Sequence, residues 1–369
     1  MSQITEVTCV DELDRYQLLW KALQGQTPGA TFFHSVHCLK SFWQHFESEQ
    51  RLRVLFVHVA GEPIGILPLV QRSRVTRFGS AEVLTYPWAE RGICYGPLGP
   101  NPAATLVAAM RYLSDRRDWD LLDLRWIPVE FDRGRTQLAM DFAGMRGAQM
   151  TSKTTSVIDL DGTWHSYIQC RETALQERLQ CAPATAESES LSYERYRPGG
   201  SMFADDNPRW ELFDECLELL DRCPQTSINK TNEQADEDPF QRHIHRLAAR
   251  AGSLDMNLLR CNGRLMAMAY GYYQDGILHV MQIKVDPRFS SLDPSTLLLA
   301  SMVRDSFHRG DRRLDLAAVA SNINQFWQTS TVTRERCTYY SLASPRGQLM
   351  RLQRWLRTAR RDRIAECAG

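Results

Sequence analysis

Three apolar runs, Met256–Cys261, Leu265–Tyr273 and Ile277–Val285, are separated only by Asn262-Gly263 and Asp275-Gly276. Asn-Gly and Asp-Gly accept the positive φ that two-residue hairpin turns need, so this stretch is a strand meander and not helix. A turn over Asp286–Pro294 then opens into an apolar helix, Ser295–Phe307, with Gly310 as its C-cap and a strand at Leu314–Ala320 after it. Strands that give way to a helix and then another strand define an α/β unit.

The first half has a similar order. Helices are expected over 10–24 and Ser35–Glu47. Arg53–Ala60 and Ile64–Gln71 form a hairpin about Gly61-Glu62-Pro63, and the Gly- and Pro-rich stretch 78–100 reads as irregular. Helix Ala103–Arg116, strand Leu121–Trp126, a helix within Pro128–Gly147 and strand Thr155–Leu160 complete it. Helices are also expected over 164–181, Asp205–Cys223, Pro239–Gly252 and Pro345–Ala365, with loops over Ala182–Ser190 and Thr226–Glu237. A chain of 369 residues accommodates two domains, taken as 1–160 and 161–369, and the shared order points to a duplication with no residue-level repeat.

Lys+Arg and Asp+Glu both number 44, so no global charge draws the chain to nucleic acid or to an anionic membrane. The ten cysteines include no C-x-x-C pair, which argues against a zinc ribbon, and no metal is expected. His243 and His245 are two apart and would sit on different sides of a helix. The acidic, polar start is not a signal peptide, and no apolar run reaches the roughly 18–20 residues of a bilayer span. A cytoplasmic protein with reduced thiols is the expectation.

The segment Leu254–Asp315 resembles the second half of GNAT-superfamily acyltransferases of the cellulose-biosynthesis (CelD/BcsL-type) family. FFHSVHCLKSFWQHF with LRVLFVHVAGEPIGILPLV, RYRP at Arg195–Pro198 and DNPRWELFDECLELL at Asp206–Leu220 are similar to the same family, so the resemblance covers most of the chain. It implies a tandem GNAT fold, also seen in Fem-type transferases, with two mixed sheets flanked by helices. It further implies that the second half holds acetyl-CoA or another acyl-CoA as co-substrate, or a carrier-protein thioester, over residues 278–310. Strand-edge groups at Gln282, Ile283 and Val285, and the loop and helix start at Arg288, Ser291, Asp293, Ser295 and Thr296, would contact that donor. A helix N-terminus suits a pyrophosphate in any case, because its free N–H groups and dipole favour anions.

Two departures stand out. Arg288–Ser295 reads RFSSLDPS, without the glycines that let backbone approach phosphate, and Asp293 adds a negative charge. Asp293 also reads as a helix-capping residue with Pro294 at the first helical position, which requires no ligand. Over Leu314–Thr329, Ala317, Val319 and Asn324 stand where relatives carry glycines and a lysine.

For acyl transfer the candidates are His279 as general base, Asp286 on or near the same strand edge facing the acyl group, and Tyr339 (next to Tyr340) as the acid that GNAT resemblance implies. The competing readings are a half-buried strand histidine and core aromatics. The acceptor would be an amine or a hydroxyl, on a small molecule or a saccharide. Two other functions stay open: a catalytically degenerate binding or accessory protein, and an aminoacyl-tRNA-dependent Fem-type transferase, although nucleic acid is disfavoured by the neutral charge. Residues 346–363 hold seven arginines and one acid, Asp362. With Leu349, Leu352, Trp355, Leu356 and Ala359 they form a basic amphipathic helix, either docked by its apolar side or facing a membrane surface or acidic partner.

Overall fold

The computed structural model describes residues 2–46, 50–116, 118–179, 190–223, 234–316 and 325–367, leaving aside the side chains of 234–238 and 357–367. The expected loop at 182–189 and the departures at Ala317, Val319 and Asn324 lie outside the described residues. The strands are β1 (Ser2–Val7), β2 (Gln50–Val59), β3 (Glu62–Thr76), β4 (Gly79–Thr85), β5 (Leu121–Pro128), β6 (Gln149–Asp159), β7 (Leu191–Tyr196), β8 (Leu254–Cys261), β9 (Arg264–Gln274), β10 (Ile277–Val285), β11 (Arg313–Asp315) and β12 (Ser330–Tyr340). By contacts the chain forms two compact units, Met1–Lys153 with Thr333–Gly369, and Thr154–Val332. These differ from the halves 1–160 and 161–369 mainly in the last stretch, which clusters with the first unit because β12 pairs antiparallel with β5, Tyr339 opposite Leu122.

In the first unit β1, β2, β3 and β4 are antiparallel neighbours, and β5 runs parallel to β4 over just Val83↔Leu121 and Leu84↔Leu122. Its core joins Trp20 and Leu39 to Leu52, Val54, Phe56, Ile66 and Val70 of the hairpin. The turn of that hairpin is Ala60-Gly61, both at positive φ, and Glu62 already pairs with Val59. The turn therefore sits one residue earlier than Gly61-Glu62-Pro63, because the two-residue geometry suits the twist of the strands better. Residues 79–85, read as irregular, are a strand, and so are 2–7. Each is short and gains order from a neighbouring strand instead of its own pattern. The helix expected within Pro128–Gly147 is broken into Val129–Asp132 and Arg135–Phe142 by Arg133 and Gly134, both in the left-handed region.

The second unit repeats the pattern. β7, β8, β9 and β10 are antiparallel neighbours, β11 runs parallel to β10, and β6 pairs antiparallel with β11. The Asn262-Gly263 and Asp275-Gly276 turns all have positive φ, as the sequence demands. The helix Pro294–Arg309 buries Leu298, Leu299, Met302 and Val303 against Leu278, Val280 and Leu314, and ends at Gly310 with φ +71. Burying an aliphatic side chain contributes about 1.5–3 kcal/mol, so this helix is fixed to the sheet by its first three turns.

On the opposite side of the sheet, His245 of helix Gln234–Ala251 is fully buried. One ring nitrogen faces the Tyr270 hydroxyl at 2.9 Å, the other the Pro208 carbonyl at 2.6 Å, and Phe213 stacks on the ring at 4.1 Å. Burial pushes the imidazole down to about 4. The unfolded chain then binds a proton that the folded chain refuses, so stability falls as pH drops from about 6.5 toward 4. Urea midpoints should show this loss in the wild type, and the slope in that window should flatten in His245→Gln.

Candidate functional site

The parallel strands β10 and β11 share three registered pairs, Ile277↔Arg313, Leu278↔Leu314 and His279↔Asp315. Beyond His279, β10 continues to Val285, paired with β9 among the described residues. The last shared pair brings His279 Nδ1 within 3.4 Å of Asp315 Oδ2; the imidazole is 25% exposed and the carboxylate 6%. A carboxylate that accepts from Nδ1–H would leave Nε2 as the proton acceptor.

Immediately after this pair the ladder slips between Val280 and Gln282, leaving Met281 as the extra residue of a bulge. Gly271 lies opposite Val280, and a Cβ there would fall 2.4 Å from the His279 carbonyl oxygen, so only glycine lets β9 approach so closely. The bulge also resets the alternation of side chains. His279, Gln282 and Lys284 oppose Tyr272, Tyr270 and Met268, which follow one another every second residue on one face. Regular alternation would have put His279 and Gln282 on opposite faces. Ile283 and Val285 take the other face and pack on the core with the 294–309 helix.

The expected donor loop is a short 3-10 turn, Pro287–Leu292. Asp286 is 1% exposed and caps this turn. Its carboxylate accepts from the Arg288 N–H at 3.0 Å and from Arg288 Nη2 at 2.6 Å, with Arg222 3.7 Å away. The hydrogen bonds from Arg288 hold it below the usual carboxylate range. Ser291 is exposed on the turn. Asp293 joins turn to helix at φ +47 and ψ 57, the left-handed conformation that glycine supplies at low cost. Its carboxylate lies 3.3 Å from Arg178 Nη1 and 3.3 Å from Ser295 Oγ. Asp293, Ser295 and Thr296 line a cleft of about 330 Å3 with Leu175, Arg178 and Trp327.

The structure thus gathers Gln282, Ile283, Val285, Arg288, Ser291, Asp293, Ser295 and Thr296 along one strand–turn–helix segment, with His279 at its start. Tyr339 belongs to the first unit, where it is 7% exposed, opposes Leu122 and lies 6.1 Å from the Trp119 ring. Sequence reasoning passed over Asp315, Met281 and Arg178. Asp315 stands in an expected strand, but nothing local shows that the strand runs parallel to β10. The bulge at Met281 has no glycine to mark it. Among the described residues no group of three or more His, Cys, Asp or Glu could hold a metal ion, and no helix is long and apolar enough to cross a membrane.

Residues 195–322 match the family described as Acetyltransferase (GNAT) domain. Two solved structures share the fold at low identity. A conserved protein of unknown function from Bacteroides thetaiotaomicron VPI-5482 is 10% identical, with 92% of this chain and 100% of that one covered at a TM-score of 0.51. FemX is 8% identical, with 94% and 99% covered at a TM-score of 0.58. No curated protein matches the sequence. The fold is α/β, with mixed strands flanked by helices as expected from the sequence, and the match over 195–322 is to a GNAT-type acetyltransferase domain. The finer CelD/BcsL-type grouping finds no support in these matches.

Proposed function

We propose that the chain transfers an acyl group from a thioester, acyl-CoA or its carrier-protein equivalent, to an amine or hydroxyl acceptor. One observation carries this reading: among the described residues the pairing of β10 with β11 ends on the His279–Asp315 contact, beside the bulge at Met281. The thioester would lie along β10 beyond His279, its carbonyl near the bulge, where a backbone N–H left out of the β9 ladder can stabilise an oxyanion. His279 Nε2 would take the proton of the attacking acceptor while Asp315 holds Nδ1. The acyl carbon then bonds to the acceptor as the C–S bond breaks and the thiolate leaves. No step is assigned to Asp286, whose carboxylate caps a turn, or to Tyr339, packed in the core of the first unit. Gln282, Ile283 and Val285 would meet the donor through the strand, and Arg288, Ser291, Ser295 and Thr296 at its anionic end. Calorimetry with acetyl-CoA and longer acyl-CoAs tests the reading, and absence of heat across the series for both wild type and Asp293→Gly would overturn it.

Asp293 favours a second reading, a binding protein with a closed donor site. Its carboxylate sits where a pyrophosphate would meet the helix N-terminus and already engages Arg178. Glycine fits the same backbone and frees that guanidinium. Asp293→Gly should bind acyl-CoA on the order of tenfold tighter than wild type, since a unit charge at contact distance contributes a kcal/mol or more. Binding seen only in the variant would mean that Asp293 closes the site.

A further inference from the structure

The helix Pro345–Cys367 is pinned at its base, and over its described side chains, up to Leu356, one side is exposed. Ser341 N–H bonds the Asp120 carbonyl at 2.9 Å, Ser344 Oγ bonds the Asp120 carboxylate, and Arg346 reaches the Ser80 carbonyl at 3.0 Å. Gly347 passes so near the Asp120 carbonyl that a Cβ would fall 2.7 Å from it. These bonds fix the direction in which the helix leaves the first unit. Past them its apolar residues are not covered: Leu349 is 43% exposed, Leu352 52%, Trp355 64% and Leu356 49%. Docking by the apolar side, one of the two sequence readings, is therefore not what these residues do.

Leu349, Leu352 and Leu356 recur at spacings of three and four, which places them on one side of the helix. Trp355 stands one turn after Arg351, at the border between the apolar side and the basic one. Seven arginines against one acid over 346–363 give a concentrated positive charge in a chain whose net charge is zero. That density of like charge opposes pairing of two such helices, so a second copy is a poor occupant. A border tryptophan, aliphatic residues on one side and arginine as the cation are the features of a helix that lies in a bilayer interface.

We infer that the C-terminal helix docks the protein on an anionic lipid surface, with Leu349, Leu352, Trp355 and Leu356 entering the headgroup region and the arginines meeting lipid phosphates. This is independent of the acyl-transfer reading, because none of these residues belongs to the β10–β11 site.

The full chain should sediment with phosphatidylcholine–phosphatidylglycerol vesicles at low salt and not with phosphatidylcholine alone. Retention should fall as salt screens the arginines. Arg351→Gln should weaken binding about fivefold, the loss expected for one basic residue at such a surface. The exposed pair Leu352→Ser and Trp355→Ser should weaken it by about tenfold or more while far-UV circular dichroism and melting stay unchanged. No retention on anionic vesicles at low salt overturns the inference. So does retention that is lost in Arg351→Gln yet intact in the Leu352/Trp355 double variant, which would mean that the apolar residues do not enter the surface.

Discussion

His279→Ala should lower turnover by roughly 10²–10⁴-fold, the range that general acid–base groups contribute, once a thioester and acceptor pair is found by following thiol release. Donor affinity should change little, because the proposed role of the imidazole is proton removal and not binding. Asp315→Asn should lose part of that factor: an amide can hold the ring but can also stabilise the wrong tautomer, with a proton already on the Nε2 that must accept one. Turnover within about threefold of wild type in His279→Ala would remove the histidine from the chemistry and leave Asp315 as its structural partner.

The largest effect on stability should come from a cluster on the other edge of the same sheet. The Arg195 side chain of β7 is 1% exposed and bonds Asp255 at 3.0 Å, Asp311 at 3.2 Å, Asp305 at 3.0 Å and the Ser306 hydroxyl at 2.8 Å. Arg197 joins Asp255 at 2.6 Å and Asp311 at 2.7 Å, and its guanidinium lies 3.7 Å from the centre of the Tyr273 ring. Both Asp255 and Asp311 have fully buried carboxylates. Burial alone would raise Asp311, but the Arg197 hydrogen bonds and both guanidinium charges leave it below the usual range. Arg195→Ala removes one cation and strands two buried carboxylates with the other, at a cost of about 3–5 kcal/mol. Urea unfolding measures it, and a loss under about 1 kcal/mol would show that the network is not what ties β7 to the 294–309 helix. With its depressed carboxyl, Asp311 adds stability above the ordinary carboxylate pKa and loses it as pH falls through its lower folded value. Arg195→Ala should therefore also soften the acid side of the stability profile. The RYRP string at Arg195–Pro198 is thereby given a physical role, since Arg195 bridges strand and helix and Arg197 ties Asp255 to Asp311.

Local chemistry settled much of this in the sequence. Asn262-Gly263 and Asp275-Gly276 dictate the meander because few other pairs tolerate two successive positive φ values. The helix after Pro294 and its Gly310 cap follow from apolar spacing and from the need for a left-handed terminus. The missing glycines of RFSSLDPS were legible too, and they anticipated a carboxylate at the start of that helix. The candidate donor segment is one continuous stretch of chain, which is why its members could be named in advance.

Tertiary structure alone decided what depends on distant partners. Nothing near Ser330–Tyr340 says that it pairs with β5, some two hundred residues earlier, so Tyr339 became a core aromatic. The register of β10 on β11 brings His279 to Asp315, and a bulge without a glycine turns Gln282 to the same face. The buried arginines and the uncovered side of the C-terminal helix belong to this group as well. Turns and caps are fixed by the conformations open to a few adjacent residues, whereas parallel pairing, ion networks and exposure depend on which surfaces meet after long loops have closed.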